Sequence, residues 1–131
     1  MKALTLPLTA LALAALSALA MLLASASLYA APPQAQGAVL TDPAGMTLYV
    51  FDKDTAGSGK SACNGDCAKN WPPLAASATD QASGEFSIIT RDDGSKQWAY
   101  KGKPLYLWSK DKKPGDTTGD GFKDMWRAAR P

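Results

Sequence analysis

Leu48-Tyr49-Val50-Phe51-Asp52-Lys53-Asp54 and Leu105-Tyr106-Leu107-Trp108-Ser109-Lys110-Asp111 carry the same order of apolar, aromatic, basic and acidic residues. A turn signal precedes each, so one supersecondary unit occurs twice. Strand alternation places Tyr49 and Phe51 on one face and Leu48 and Val50 on the other; Tyr106 and Trp108 stand likewise against Leu105 and Leu107. Both faces are apolar. That pattern fits central strands buried on both sides, each aromatic removing on the order of 150 to 250 Å² from water. The alternative is an aromatic platform that stacks on a sugar, a porphyrin or a partner's side chain, which requires exposed ring faces.

Outward from these stretches, short β-branched and aromatic runs alternate with turns, and no helical period of ten or more residues is present. Ala38–Thr41, the Asp42-Pro43-Ala44-Gly45 turn and Met46–Phe51 predict a hairpin. Phe86–Thr90, Gln97–Tyr100 and Pro104–Trp108, joined by turns at Asp92–Ser95 and Lys101–Lys103, predict a meander. Ala75–Gly84 has no period and reads as a surface connection. Gly65-Asp66, Lys69 and Trp71 are echoed by Gly119-Asp120, Lys123 and Trp126. The expected fold is therefore mostly β: a small single domain over 32–131 of two pseudo-symmetric repeats, about 37–74 and about 86–131, packed on each other.

The amino terminus has the order of a secretory signal peptide. Lys2 precedes an uncharged run from Leu11 to Leu23, then Ala24-Ser25-Ala26, with Pro32-Pro33 soon after. Residues 1–31 are assigned to this leader, with cleavage between 26 and 31. Its loss removes one positive charge, taking the formal net charge from +2 to +1. Neither value gives a reason to expect nucleic acid or an anionic membrane as partner. No membrane span is expected after processing. In an oxidising compartment, Cys63 and Cys67 are expected to pair, closing a loop so short that the chain-entropy gain is only about 2 kcal/mol. Their spacing is one residue longer than a thioredoxin-type C-x-x-C, and there is no histidine to act as base or haem ligand. A local staple with Trp71 packed over it is the expected role.

These residues resemble a known family. Tyr49, Phe51, Asp54 and Tyr106, Trp108, Asp111 both fit Tyr-x-(Phe/Trp/Tyr)-x-x-Asp, accompanied by Cys63-x-Gly65-x-Cys67-Ala68-x-x-Trp71-Pro72-Pro73. The pattern is similar to the secreted repeat, or predicted lipoprotein, family of unknown function with the Yx(FWY)xxD motif, from about Gly37 to the end. The resemblance implies export and no characterised biochemical activity. Many members are lipid-anchored through a cysteine at the cleavage site. No cysteine precedes Cys63 here, so lipidation does not carry over.

The remaining polar residues offer few routes to chemistry. Asp54 and Asp111 end their strands, where a carboxylate most often caps following backbone N–H groups in an Asx-type turn. Asp116, Asp120 and Asp124 have the spacing of a partial calcium loop, but Arg127 stands where a bidentate Glu is required. Zinc and copper are disfavoured without imidazole, and no histidine-based triad or phosphate-binding loop is present. The expectation is a non-enzymatic periplasmic or secreted binding module with no cofactor, its partner an envelope protein, a glycan or a small ligand. The alternatives are a carboxylate-based enzyme on an envelope glycan, working through Asp54 and Asp111, and a cation- or cofactor-binding protein.

Overall fold

The computed structural model describes residues 32–131; the leader assigned to 1–31 lies outside them. β1 (Gln34–Gln36) pairs antiparallel with β2 (Val39–Thr41). β3 (Tyr49–Phe51) pairs antiparallel with β7 (Trp126–Ala128), Phe51 standing opposite Trp126. β4 (Phe86–Thr90), β5 (Lys96–Tyr100) and β6 (Lys103–Pro104) form the expected antiparallel meander. A short helix, α1 (Asp66–Asn70), and a 3-10 turn at Phe122–Asp124 complete the elements. The fold is mostly β and built of two repeats.

The two motif copies meet through their backbones. The Tyr49 N–H donates to the Tyr106 carbonyl at 2.8 Å, and the Tyr106 N–H donates back to Tyr49 at 2.9 Å. That reciprocal exchange marks a hydrogen-bonded antiparallel pair. Around it the bonds repeat in matched sets. Leu48 donates to Leu40, Leu40 to Ala129, and Ala129 to Leu48; in the second set Leu105 donates to Trp98, Trp98 to Leu74, and Leu74 to Leu105. Each ring thus takes one segment from the other repeat, since Ala129 follows the second motif and Leu74 follows the first. The repeats are interlaced rather than stacked as finished units.

This interlacing corrects the simple hairpins. The turn at Asp42–Gly45 forms, with Gly45 N–H on the Asp42 carbonyl at 2.9 Å and Thr41 opposite Thr47. Beyond Leu48, however, the strand leaves its hairpin partner for β7 and Tyr106. Its equivalent leaves β5 after Leu105, and Tyr106 bridges Tyr49 and Pro73. A strand apolar on both faces gains more by lying between two cores than along one hairpin edge. β1 carries no apolar pattern, all three residues being exposed, which is why alternation does not reveal it.

Alternation sorts the motif residues into two cores. One holds Tyr49, Phe51, Tyr106 and Trp108 with Trp71, Trp126 and Cys63. The other holds Leu48 and Leu105 with Leu40, Leu74, Trp98 and Ala129, and Val50 and Leu107 pack against it. In the first core four rings form a continuous stack. Phe51 lies on Trp126 at 4.2 Å between centroids, Trp126 on Trp71 at 3.8 Å, and Trp71 on Trp108 at 3.9 Å. Tyr49 meets Trp71 edge-on and Tyr106 meets Trp126 edge-on, the quadrupole-favoured arrangement. Gly119 is fitted against this stack: a Cβ there would stand 2.8 Å from Trp71.

Trp71→Ala opens the middle of the stack and is expected to cost about 3–5 kcal/mol in urea unfolding. Gly119→Ala overpacks the same place and should cost about 1–3 kcal/mol. Wild-type midpoints for both would contradict this packing.

Candidate functional site

The side chains of the motif cross between repeats. The Tyr106 hydroxyl donates to Asp54 Oδ2 at 2.6 Å, and the Tyr49 hydroxyl donates to Asp111 Oδ2, also at 2.6 Å. Each tyrosine therefore serves the aspartate of the other copy. The second carboxylate oxygens reach forward along their own chains: Asp54 Oδ1 accepts from Ala62 N–H, and Asp111 Oδ1 accepts from Thr118 N–H and Oγ1. This corrects the expected Asx turn. The carboxylates hold residues seven and eight positions on, because each has to fasten a long loop under the opposite tyrosine.

Asp54 belongs to the larger network. Arg91 is buried and donates through Nη1 to Ser61 Oγ at 2.9 Å and Gln97 Oε1 at 2.7 Å. Through Nη2 it reaches the Cys63 carbonyl at 2.6 Å and Asn64 Oδ1 at 3.1 Å. Ser61 Oγ lies 2.7 Å from the Tyr106 hydroxyl, whose one proton is committed to Asp54, so the serine supplies the hydrogen between them. The positive and negative charges are thus joined through two hydroxyls, with the Cys63–Cys67 disulfide loop held at the cationic end. On the Asp111 side the corresponding acceptor role is simpler, with Gly119 N–H donating to the Tyr49 hydroxyl at 3.2 Å.

Burial and the neighbouring carboxylates raise both tyrosines above their ordinary value. Burial also raises Asp54, against the lowering effect of Tyr106, the Ala62 N–H, Lys103 and Arg91. Asp116 is lowered mainly by the Lys112 N–H, and Asp120 by the Ala128 N–H.

The structure places the predicted site residues unevenly. Tyr49, Phe51, Asp54, Tyr106, Trp108 and Asp111 are all buried, so rings and carboxylates are engaged chiefly within the protein. Asp116 turns to the Lys112 and Lys113 N–H groups, and Asp120 to Ala128 N–H and Arg130. Asp116, Asp120 and Asp124 are not gathered at one point, and among the described residues no three His, Cys, Asp or Glu side chains are grouped to hold a metal ion.

A groove of about 280 Å³ lies over the aromatic core. Matched residues of the two repeats line it, Phe51 with Trp108 and Trp71 with Trp126, and Cys67, Phe122 and Met125 lie beside them. Lys110 and Lys123 are exposed on its rim. Lys123 and Asp124 both have left-handed backbone, φ 50 and φ 56. They are the central residues of a turn closed by the Met125 N–H on the Phe122 carbonyl at 3.0 Å, a primed type that requires positive φ at both. The Lys123 ammonium stands 5.5 Å from the Phe122 ring centroid.

Arg91, Ser61, Gln97 and Phe122 were not legible as site residues. Arg91 sits beside the Asp92–Ser95 turn, where a solvated cation is the ordinary reading. Phe122 did carry a signal, an aromatic residue inside a Gly/Asp loop, which argues for a loop folded onto a core.

Tyr106→Phe leaves Asp54 Oδ2 without its donor and is expected to cost about 1–3 kcal/mol. Arg91→Met should cost about 1–3 kcal/mol or more by stranding its buried acceptors; unfolding in urea checks both. The raised tyrosines contribute stability that is complete below their ordinary value of 10.0 and lost as pH rises through the folded values. Asp54 likewise contributes fully below 3.8 and loses that contribution as pH rises through its folded value. Asp116 and Asp120 act oppositely, contributing above 3.8 and losing it as pH falls. In an alkaline absorbance titration Tyr49 and Tyr106 should ionise only with unfolding; ionisation of every tyrosine before unfolding would contradict the pairs.

Among the described residues no helix is long and apolar enough to cross a membrane. No curated protein and no solved structure matches the chain. The sequence profile of a family described as a secreted repeat of unknown function matches it twice, over residues 33–75 and 87–130. Each match contains one tyrosine motif and the segment that interlaces with the other repeat, and together they span well over half the chain: it belongs to this family of secreted repeats of unknown function.

Proposed function

We propose that the chain is an exported, non-enzymatic binding module, active in the periplasm or outside the cell, that recognises an envelope protein, a glycan or a small ligand. The observation that carries this reading is the burial of the motif: its aromatic and acidic residues build the scaffold, leaving recognition to the surface. The groove between the repeats is the best-suited place. Grooves at the junction of two packed units are common ligand sites, and this one presents the half-buried Phe122 and Met125 over the tryptophan core, with two cations on the rim. Its volume suits one ring-sized group, such as a sugar ring or a side chain of a larger partner.

The test is capture from an envelope fraction with wild type and with Lys110→Glu/Lys123→Glu. Both lysines are exposed, so folding should be preserved to within about 0.5 kcal/mol. The wild type is expected to retain a partner that the double variant loses; identical captured sets would refute the groove. Intact mass of the exported protein should show loss of the leader, two hydrogens fewer for the disulfide, and no acyl group. A retained leader or an added lipid would overturn the soluble, exported state.

A further inference from the structure

A second groove, sharing no residue with the first, lies on the opposite core. It has a volume of about 270 Å³, with Val50, Tyr100 and Ala129 on an apolar floor and Lys101, Lys103 and Arg130 around it. No carboxylate lines it. Lys101 is bonded to Glu85 only at the 4.0 Å limit, with both side chains more than half exposed, a geometry of little energetic consequence. Arg130 is held by Asp120 at 3.2 Å, while Lys103 takes part in no ion pair among the described residues.

The backbone fixes this arrangement. Lys101 has φ 50, a left-handed conformation rare for a side-chain-bearing residue, followed by Gly102 at φ 81. The turn is clamped on both sides: Lys101 N–H donates to the Glu85 carbonyl, and Gly57 N–H donates to the Gly102 carbonyl at 3.0 Å. A Cβ on Gly102 would stand 2.6 Å from Gly57 N, so the loop carrying Ala56 closes the groove only because residue 102 is glycine. Positive φ at both residues is what a two-residue hairpin between Tyr100 and Lys103 requires, so the turn holds Lys101 and Lys103 in fixed places beside the groove.

We propose that this groove binds a small amphiphilic anion, an acyl or aromatic group ending in a carboxylate. The apolar lining takes the hydrocarbon body and Lys103, with Lys101 beside it, takes the head group. Lys103, free of any ion pair among the described residues, gives the selectivity, with Lys101 assisting beside Glu85, which also accepts from the Tyr100 hydroxyl at 3.0 Å; a neutral analogue of the same shape gains only the apolar part. The volume lies just below the usual range for drug-sized ligands, which points to a short chain or single ring. The repeat relation sharpens the assignment: the matching turn of the first repeat is Asp42-Pro43-Ala44-Gly45, which has no cation, so the site exists on one side of the molecule only.

Calorimetric titration of the protein with octanoate and with octanol, at low salt and below self-association, tests the proposal. Octanoate should bind saturably, and octanol about tenfold more weakly or less. Lys101→Glu/Lys103→Glu should lose about tenfold or more in octanoate affinity, as should Ala56→Trp, which obstructs the groove from an exposed position. Lys110→Glu/Lys123→Glu, in the other groove, should leave it unchanged, so this site and the capture surface stand or fall separately. The proposal is overturned by equal affinity for octanoate and octanol, by wild-type affinity in either groove variant, or by no saturable octanoate binding. Retention on phosphatidylglycerol vesicles without octanoate binding would also overturn it, by reducing the cations to a surface-charge effect.

Discussion

The reciprocal backbone pairing of Tyr49 with Tyr106 is the constraint on which the other features depend. Once these residues face each other antiparallel, their side chains must enter the same core, and each hydroxyl arrives at the aspartate of the opposite copy. The aspartates then fasten the loops at Ala62 and Thr118, which carry the chain back toward the tryptophans. Trp71 and Trp126 are brought face to face with an interplanar angle of 2°. A buried carboxylate and a buried phenol are both costly alone, and pairing them across the repeats ties the burial of one copy to that of the other.

Symmetry holds in the strands and fails in the loops, and the failures locate the chemistry. On one side the loop under the tyrosine contains the disulfide and is gripped by Arg91. On the other, Gly119 presses against the stack and Phe122 tilts onto Trp108. Cations collect on the second repeat, at Lys110 and Lys123 over one core and at Lys101 and Lys103 over the other. Duplicated strands supply a rigid frame, and divergent loops supply surfaces that differ from each other, the usual division between scaffold and function.

Much of the frame was legible in the residues. The repeated Leu-Tyr-x-aromatic pattern announced strands buried on both faces, and the two cores divide along that alternation. The meander followed from the Asp-Asp-Gly-Ser and Lys-Gly-Lys turns. What alternation could not show was partnership: β3 reads as the second arm of a hairpin, and nothing local says that its partner is Trp126–Ala128 near the chain end. The site was less legible for a related reason. The destination of a carboxylate depends on which hydroxyl the fold delivers to it, so Asp54 and Asp111 read as local caps although their partners are more than fifty residues away. Arg91 had no signal beyond its charge, since a guanidinium satisfied by serine, glutamine and carbonyl oxygens has no spacing rule.

The central claim is that neither repeat is a folding unit and that each is completed by the other. The most direct measurement divides the chain within the exposed connection between Ala78 and Glu85, prepares the two pieces with Cys63 and Cys67 oxidised, and records near-ultraviolet circular dichroism separately and after mixing. Each piece alone should lack the tryptophan signal of a fixed core, and mixing should restore it at one-to-one stoichiometry. A native-like spectrum from either piece alone would contradict the account.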